Sequence, residues 1–163
     1  MVKVDYPDLD EEREILRRTT GQVEAEIDKV LTGEELLAIQ EAVRAVPVAD
    51  HVLDHALALT RGTRVRSGTV LPFLEQYVNW GAGPRAGQAL VLAAKARAAL
   101  EGRGHVSTDD LRSVAKPVLR HRMVLNFSAA AEGFTADDLI DRLLDEVDPA
   151  GGVGAGLPGV AKG

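Results

Sequence analysis

Cysteine is absent from the 163 residues of this chain. That excludes disulfides and thiolate metal sites. Aromatic residues make up only 4%, although hydrophobic residues make up 45%. The apolar content is therefore mostly alanine, leucine and valine, a balance that favours closely packed helices over a β-sandwich. Basic residues are the minority, 19 against 25 acids, for a net charge of −6. A general nucleic-acid binder needs a basic face to release counterions, so none is expected here. No apolar run approaches the length of a membrane span, and membrane insertion is not expected. Asp5, Asp8 and Asp10 interrupt the N-terminus before a signal-peptide core can form, which makes a cytoplasmic location the expectation. Three catalytic signatures are also missing: the Gly-x-x-x-x-Gly-Lys-Ser/Thr loop, the Gly-x-Ser-x-Gly elbow and the Gly-x-Gly-x-x-Gly turn. The chain carries no obvious catalytic engine of its own.

What is present is a series of helix starts. Asp8 with Glu11, Thr32 with Glu35, Ser107 with Asp110 and Thr135 with Asp138 each have capping-box spacing. After Thr32, the residues Leu36, Ile39, Val43 and Val46 recur on one helical face, and Pro47 ends the run. Asp50 is placed to cap a further helix with Val52 or Leu53, Ala56, Leu57 and Thr60 inward. A long helix is predicted from Pro84 to about Leu100, apolar on most of its circumference and so inside a bundle. Pro117 is expected to kink or split the helix begun at Ser107 after Lys116. Residues 122–127 read as a short extended segment, and 73–80 as an apolar stretch of either type. Met1 to Tyr6 alternates like a strand, which needs a partner to stand. Six of the sixteen glycines lie after Asp148, so 149–163 is expected to be a disordered tail. The fold class is all-α, a bundle of five to seven helices with at most a minor short strand.

Several residues invite chemistry. Asn79 to Ala86 opens the long helix with two glycines, Pro84 at the first helical position and Arg85 in the first turn. A cation there is unfavourable unless an anion faces it, and a helix start with unpaired N–H groups suits a phosphate. The competing reading is an exposed arginine without a partner. Gly81 and Gly83 permit either a tight turn or close approach of a ligand to the backbone. His51 and His55 share a helix face at i, i+4. With Asp54 in place of a glutamate and no third ligand, they read as a polar face, and a metal-dependent hydrolase is the remotest alternative. Arg61, Arg64 and Arg66 form a basic cluster, either a solvated helix end or a contact to an acidic surface. Arg120-His121-Arg122 has the same ambiguity, or bonds the carbonyls of an irregular turn. Trp80, the one tryptophan, reads as a core or interface plug.

Gly-Ala-Gly-Pro-Arg-Ala resembles the Gly-Ala-Ser-Pro-Arg-Ala signature in the C-terminal helical lid of MoxR-type AAA+ ATPases. Val4-Asp-Tyr-Pro7 with Glu11 to Leu16 resembles the junction of ATPase core and lid. Val30 to Leu37, Val48 to Asp50, Thr63-Arg64, His105 to Leu111, Val118 to Arg122 and Thr135 to Val147 follow the family's order. The likeness implies a core and hinge remnant over 1–7, a helical lid over 8–148, and Walker motifs lying N-terminal of Met1. It implies that Arg85 is the sensor 2 arginine and contacts the γ-phosphate of Mg-ATP, with Gly83, Pro84 and Ala86 beside it. Tyr6, Pro7 and Ile15 are implied to border the adenine. No catalytic residue and no metal ligand is implied within this chain, which alone would be inactive, whereas the full-length protein would hydrolyse ATP. The implied partners are the AAA+ core, neighbouring subunits of a ring, usually a hexamer, and proteins of the von Willebrand factor A type. The implied role is that of a chaperone in maturing or assembling other complexes. One departure stands out: the family's serine is Gly83, which removes a hydroxyl cap at modest cost. A stand-alone helical adaptor for a protein partner, without a nucleotide, is the alternative.

Overall fold

The computed structural model describes residues 3–21 and 27–149. Over these the chain forms eight helices and one small antiparallel ribbon. The order is α1 (Leu9–Thr20), α2 (Gly33–Ala45), α3 (Asp50–Gly62), α4 (Pro72–Tyr77), β1 (Val78–Trp80), α5 (Pro84–Leu100), α6 (Thr108–Leu119), β2 (Val124–Leu125), α7 (Phe127–Ala131) and α8 (Ala136–Glu146). The all-α expectation holds. The count exceeds seven because α4 and α7 are short pieces, one started by Pro72 and the other capped by Asn126.

All four expected capping boxes form. The side chains of Asp8, Thr32, Ser107 and Thr135 accept the N–H three residues on, and the matching carboxylate reaches back. At α3 the N-cap is Ala49, one residue before the expected Asp50, which falls in the first turn.

The core is built around α5. Ala86, Leu90, Ala94 and Ala98 recur every four residues and are fully buried. This narrow stripe of small side chains lets α3 and α6 approach α5 closely. The rest of the circumference of α5 is less buried than its composition predicts, and Leu92 and Leu100 face solvent. From α8, Leu139, Ile140, Leu143, Leu144 and Val147 fill the core as expected.

Other expectations need correction. Residues 3–8 form no strand, and Val4 and Tyr6 are exposed because no strand pairs with them. Met1 and Val2 lie outside the described residues, as do 22–26 and all but Pro149 of the glycine-rich tail. In α2 only Val43 and Val46 approach the core, while Leu36 and Ile39 remain about half exposed. Pro117 does not split the helix after Lys116, and α6 runs on to Leu119. The proline sits in the last turn, and the carbonyl it frees belongs to the exposed Ser113, where water can satisfy it.

The ribbon settles where α5 begins. Val78 pairs with Leu125 and Trp80 with Val124, with an irregularity between the two pairs. Asn126 reinforces it, its N–H donating to the Tyr77 carbonyl at 2.9 Å and its Nδ2 to the Gln76 carbonyl at 2.7 Å. The segment before α5 is thereby tied to the segment after α6.

Candidate functional site

Helix α5 starts without a side-chain cap of its own. Gly83 occupies the N-cap in an extended conformation, and Pro84 follows at the first helical position. Ala86 is fully buried, and its N–H turns back to the Gly83 carbonyl at 2.9 Å. Pro84 has no N–H to offer. Fewer backbone donors are therefore free than the sequence pattern implies, and the guanidinium of Arg85 carries most of the positive character of this helix start. Arg85 is exposed, and no hydrogen bond or ion pair engages it among the described residues. The first turn of α5 holds no acid, whereas those of α1, α2, α3, α6 and α8 each do.

The residues before Gly83 are held by the end of α3. Thr63 is fully buried. Its hydroxyl donates to the Thr60 carbonyl at 2.8 Å and accepts the Ala82 N–H at 2.9 Å. Arg64 Nε donates to the Ala82 carbonyl at 2.9 Å. Gly81 lies so close to this turn that an added Cβ would sit 1.9 Å from the Thr63 carbonyl oxygen. What comes close to this glycine is the Thr63 backbone, and that close approach is what its missing side chain allows. Gly83 has open space instead.

The basic cluster separates into three different situations. Arg61 is exposed, Arg64 grips Ala82, and Arg66 lies 5.9 Å from the ring centre of Trp80, itself with positive φ. Trp80 is 66% exposed, which removes it from the core. Arg61, Arg64 and Lys95 border an apolar groove of about 740 Å³ between α3 and α5, walled by Leu53, Leu57 and Leu92.

The remaining candidates lie elsewhere. Pro7 and Ile15 border one shallow cleft of about 510 Å³ with Asp10, Glu11, Glu14 and Arg18, and Arg85 is not among its walls. Tyr6 is fully exposed. His51 and His55 do not face a common site, since His51 is exposed and His55 fully buried. No group of three potential metal ligands occurs among the described residues. Arg120 pairs with Asp137 at 3.0 Å, and Arg122 donates to the Val118 carbonyl, closing the turn after α6. The residue that sequence reasoning missed is Thr63. It is a threonine at a helix end with no local pattern to mark it, and only its place beside Arg64 in the family's motif order drew it in.

Comparison with known proteins bears on the fold. Residues 74–143 match the family described as the AAA lid domain. The chain is 32% identical over 146 residues to Chaperone MoxR1 of Mycobacterium tuberculosis, covering 90% of this chain and 38% of that protein. It is 38% identical over 112 residues to Protein MoxR of Methylorubrum extorquens, covering 66% of this chain and 32% of that one. The crystal structure of a candidate ATPase from Cytophaga hutchinsonii superposes with a TM-score of 0.72 at 28% identity, over 89% of this chain and 44% of the other. The chain thus spans less than half the length of each of these relatives. With a helical fold, residues 74–143 matching the AAA lid domain and MoxR relatives along most of its length, the chain is similar to the helical lid of MoxR-type AAA+ proteins.

Proposed function

We propose that this domain is the lid that closes over ATP on an AAA+ core and reads the γ-phosphate through Arg85. The observation that carries the reading is an exposed arginine without a protein partner among the described residues, at the uncapped positive end of the long central helix. The residues fit the ligand. A guanidinium offers paired N–H donors to phosphate oxygens, and the helix dipole adds positive potential at the same point. Gly83 leaves open space beside it, Pro84 sets the backbone, and Ala86 anchors the turn in the core. When bound, Mg-ATP supplies the transferable phosphoryl group. Arg85 orients that group and stabilises its charge, which is a large term in phosphoryl transfer. In this reading residues 8–148 are the lid and 1–7 the hinge, and Tyr6, Pro7 and Ile15 face the adenine once the core is in place. The longer protein forms a ring, commonly a hexamer, in the cytoplasm and acts as a chaperone, with von Willebrand factor A-type proteins as partners.

Replacement of Arg85 tests this directly. In the full-length ATPase, Arg85→Ala should lower turnover by about 10²-fold, the order of one lost charge-stabilising donor, with the helical circular-dichroism spectrum unchanged. The isolated 163-residue chain should hydrolyse no ATP. Unchanged kinetics of Arg85→Ala would favour the other reading, a helical adaptor that takes a protein partner in the α3–α5 groove rimmed by Arg61, Arg64 and Lys95.

A further inference from the structure

A helix start that has to place one side chain against a ligand needs a fixed first turn, and α5 does not secure its own. It has no side-chain cap. Glycines at 81 and 83 straddle Ala82, and glycine is the residue least able to hold a backbone conformation unaided. Core packing sets the helix axis from Ala86 inward, but Arg85 lies outside that point.

The C-cap of α3 and the residue after it supply what is missing. Both polar backbone groups of Ala82 are taken by consecutive side chains, the N–H by Thr63 Oγ1 and the carbonyl by Arg64 Nε, each at 2.9 Å. The Thr63 hydroxyl is itself oriented, because it donates to the Thr60 carbonyl and so turns a lone pair towards Ala82. Thr63 is fully buried, and no water competes for that bond. Gly81 closes the arrangement, since its lack of a side chain is what lets the strand-to-helix turn rest on the Thr63 carbonyl. Beyond Ala82 only Gly83 and the φ-locked Pro84 separate the clamp from Arg85.

We propose that Thr63 and Arg64 are positioning residues for Arg85, serving from α3 as the cap that α5 lacks. The inference rests on the nucleotide-facing reading of Arg85. Neither residue needs to touch the ligand. They hold the backbone three residues upstream, at Ala82, and a misplacement on the order of 1 Å at such a site is enough to cost about 10²-fold in rate.

Two measurements test it separately from that reading. In the 163-residue chain, amide hydrogen exchange by NMR should show the Ala82 N–H exchanging at least about tenfold faster in Thr63→Val, with Leu90 to Ala98 unaffected and Thr63→Ser restoring protection. Unaltered exchange at Ala82 overturns the clamp. In the full-length ATPase, Thr63→Val and the half-exposed Arg64→Lys should each lower kcat about tenfold, with KM for ATP changed by less than about twofold. Combined with Arg85→Ala, neither should cost anything further. Losses that multiply with that of Arg85→Ala overturn the positioning role. If Thr63→Val does not fold, Arg64→Lys carries the same comparison, with Thr63→Ser as the variant expected to behave like wild type. If Arg85→Ala alone leaves turnover intact while Ala82 exchange responds as expected, it is the nucleotide reading that fails and the clamp remains.

Discussion

His55 is fully buried on α3, and its two ring nitrogens are treated differently. Nδ1 lies 3.1 Å from the Asp148 carbonyl, and a carbonyl only accepts, so Nδ1 carries the proton and donates. Nε2 is then a buried lone pair without a partner. Protonating it would place a charge in the core, and Arg112 nearby makes that worse, so burial first and Arg112 second hold this imidazole below its ordinary value of 6.5. The unfolded chain therefore takes up the proton first as pH falls. The contribution to stability is complete above pH 6.5 and is lost as pH drops through the folded value. Urea midpoints should accordingly decline between neutral pH and pH 5 in the wild type, while His55→Gln, which can still donate to Asp148, should lack that component. A histidine pair at i, i+4 was legible in the sequence. That one member turns inward towards the end of α8 was not, because its partner lies 93 residues away.

At the scale of the element, helix starts were the most legible features, since a capping box is a conversation between residues three apart. Asp110 shows how the tertiary structure adds to one. Besides its bonds to Ser107, it receives the Arg103 guanidinium at 2.7 Å, which holds its carboxyl well below the usual carboxylate range and joins the end of α5 to the start of α6. The two glycines before α5 looked alike in sequence and behave oppositely. Gly81→Ala forces a Cβ against backbone, and should cost about 3 kcal/mol, the upper part of the overpacking range, by urea denaturation. Gly83→Ser meets open space and restores the family's hydroxyl cap, so it should stabilise by a few tenths of a kcal/mol, roughly the cap difference between glycine and serine. Equal effects in the two variants would show that the close approach to Thr63 is not what Gly81 provides.

For the whole molecule, the described residues divide into a packed part from α3 to α8, with α2 laid against α5, and an outlying α1. Neither α1 nor α2 has a buried residue, although both have well-formed caps. Short helices are marginal in water without tertiary packing. Amides of α1 in the isolated chain should therefore exchange within the range of local fraying, while those of Leu90 to Ala98 approach the protection of global unfolding. Comparable protection in α1 and α5 would contradict this division.

The sequence by itself determined the class of fold, the four capping boxes, the alanine-rich central helix and the position of Arg85 in its first turn. All of these are written in local spacing, and local geometry is enough to read them. Only the tertiary structure decided which apolar faces are covered. Leu36 and Ile39 have the same spacing as Ile140 and Leu143, yet remain half exposed, because periodicity names a face and not its partner. The same holds at the start of α5. Thr63 and Ala82 are 19 residues apart and carry no shared pattern, and only the packing of α3 against α5 brings a hydroxyl to the one N–H that fixes where Arg85 stands.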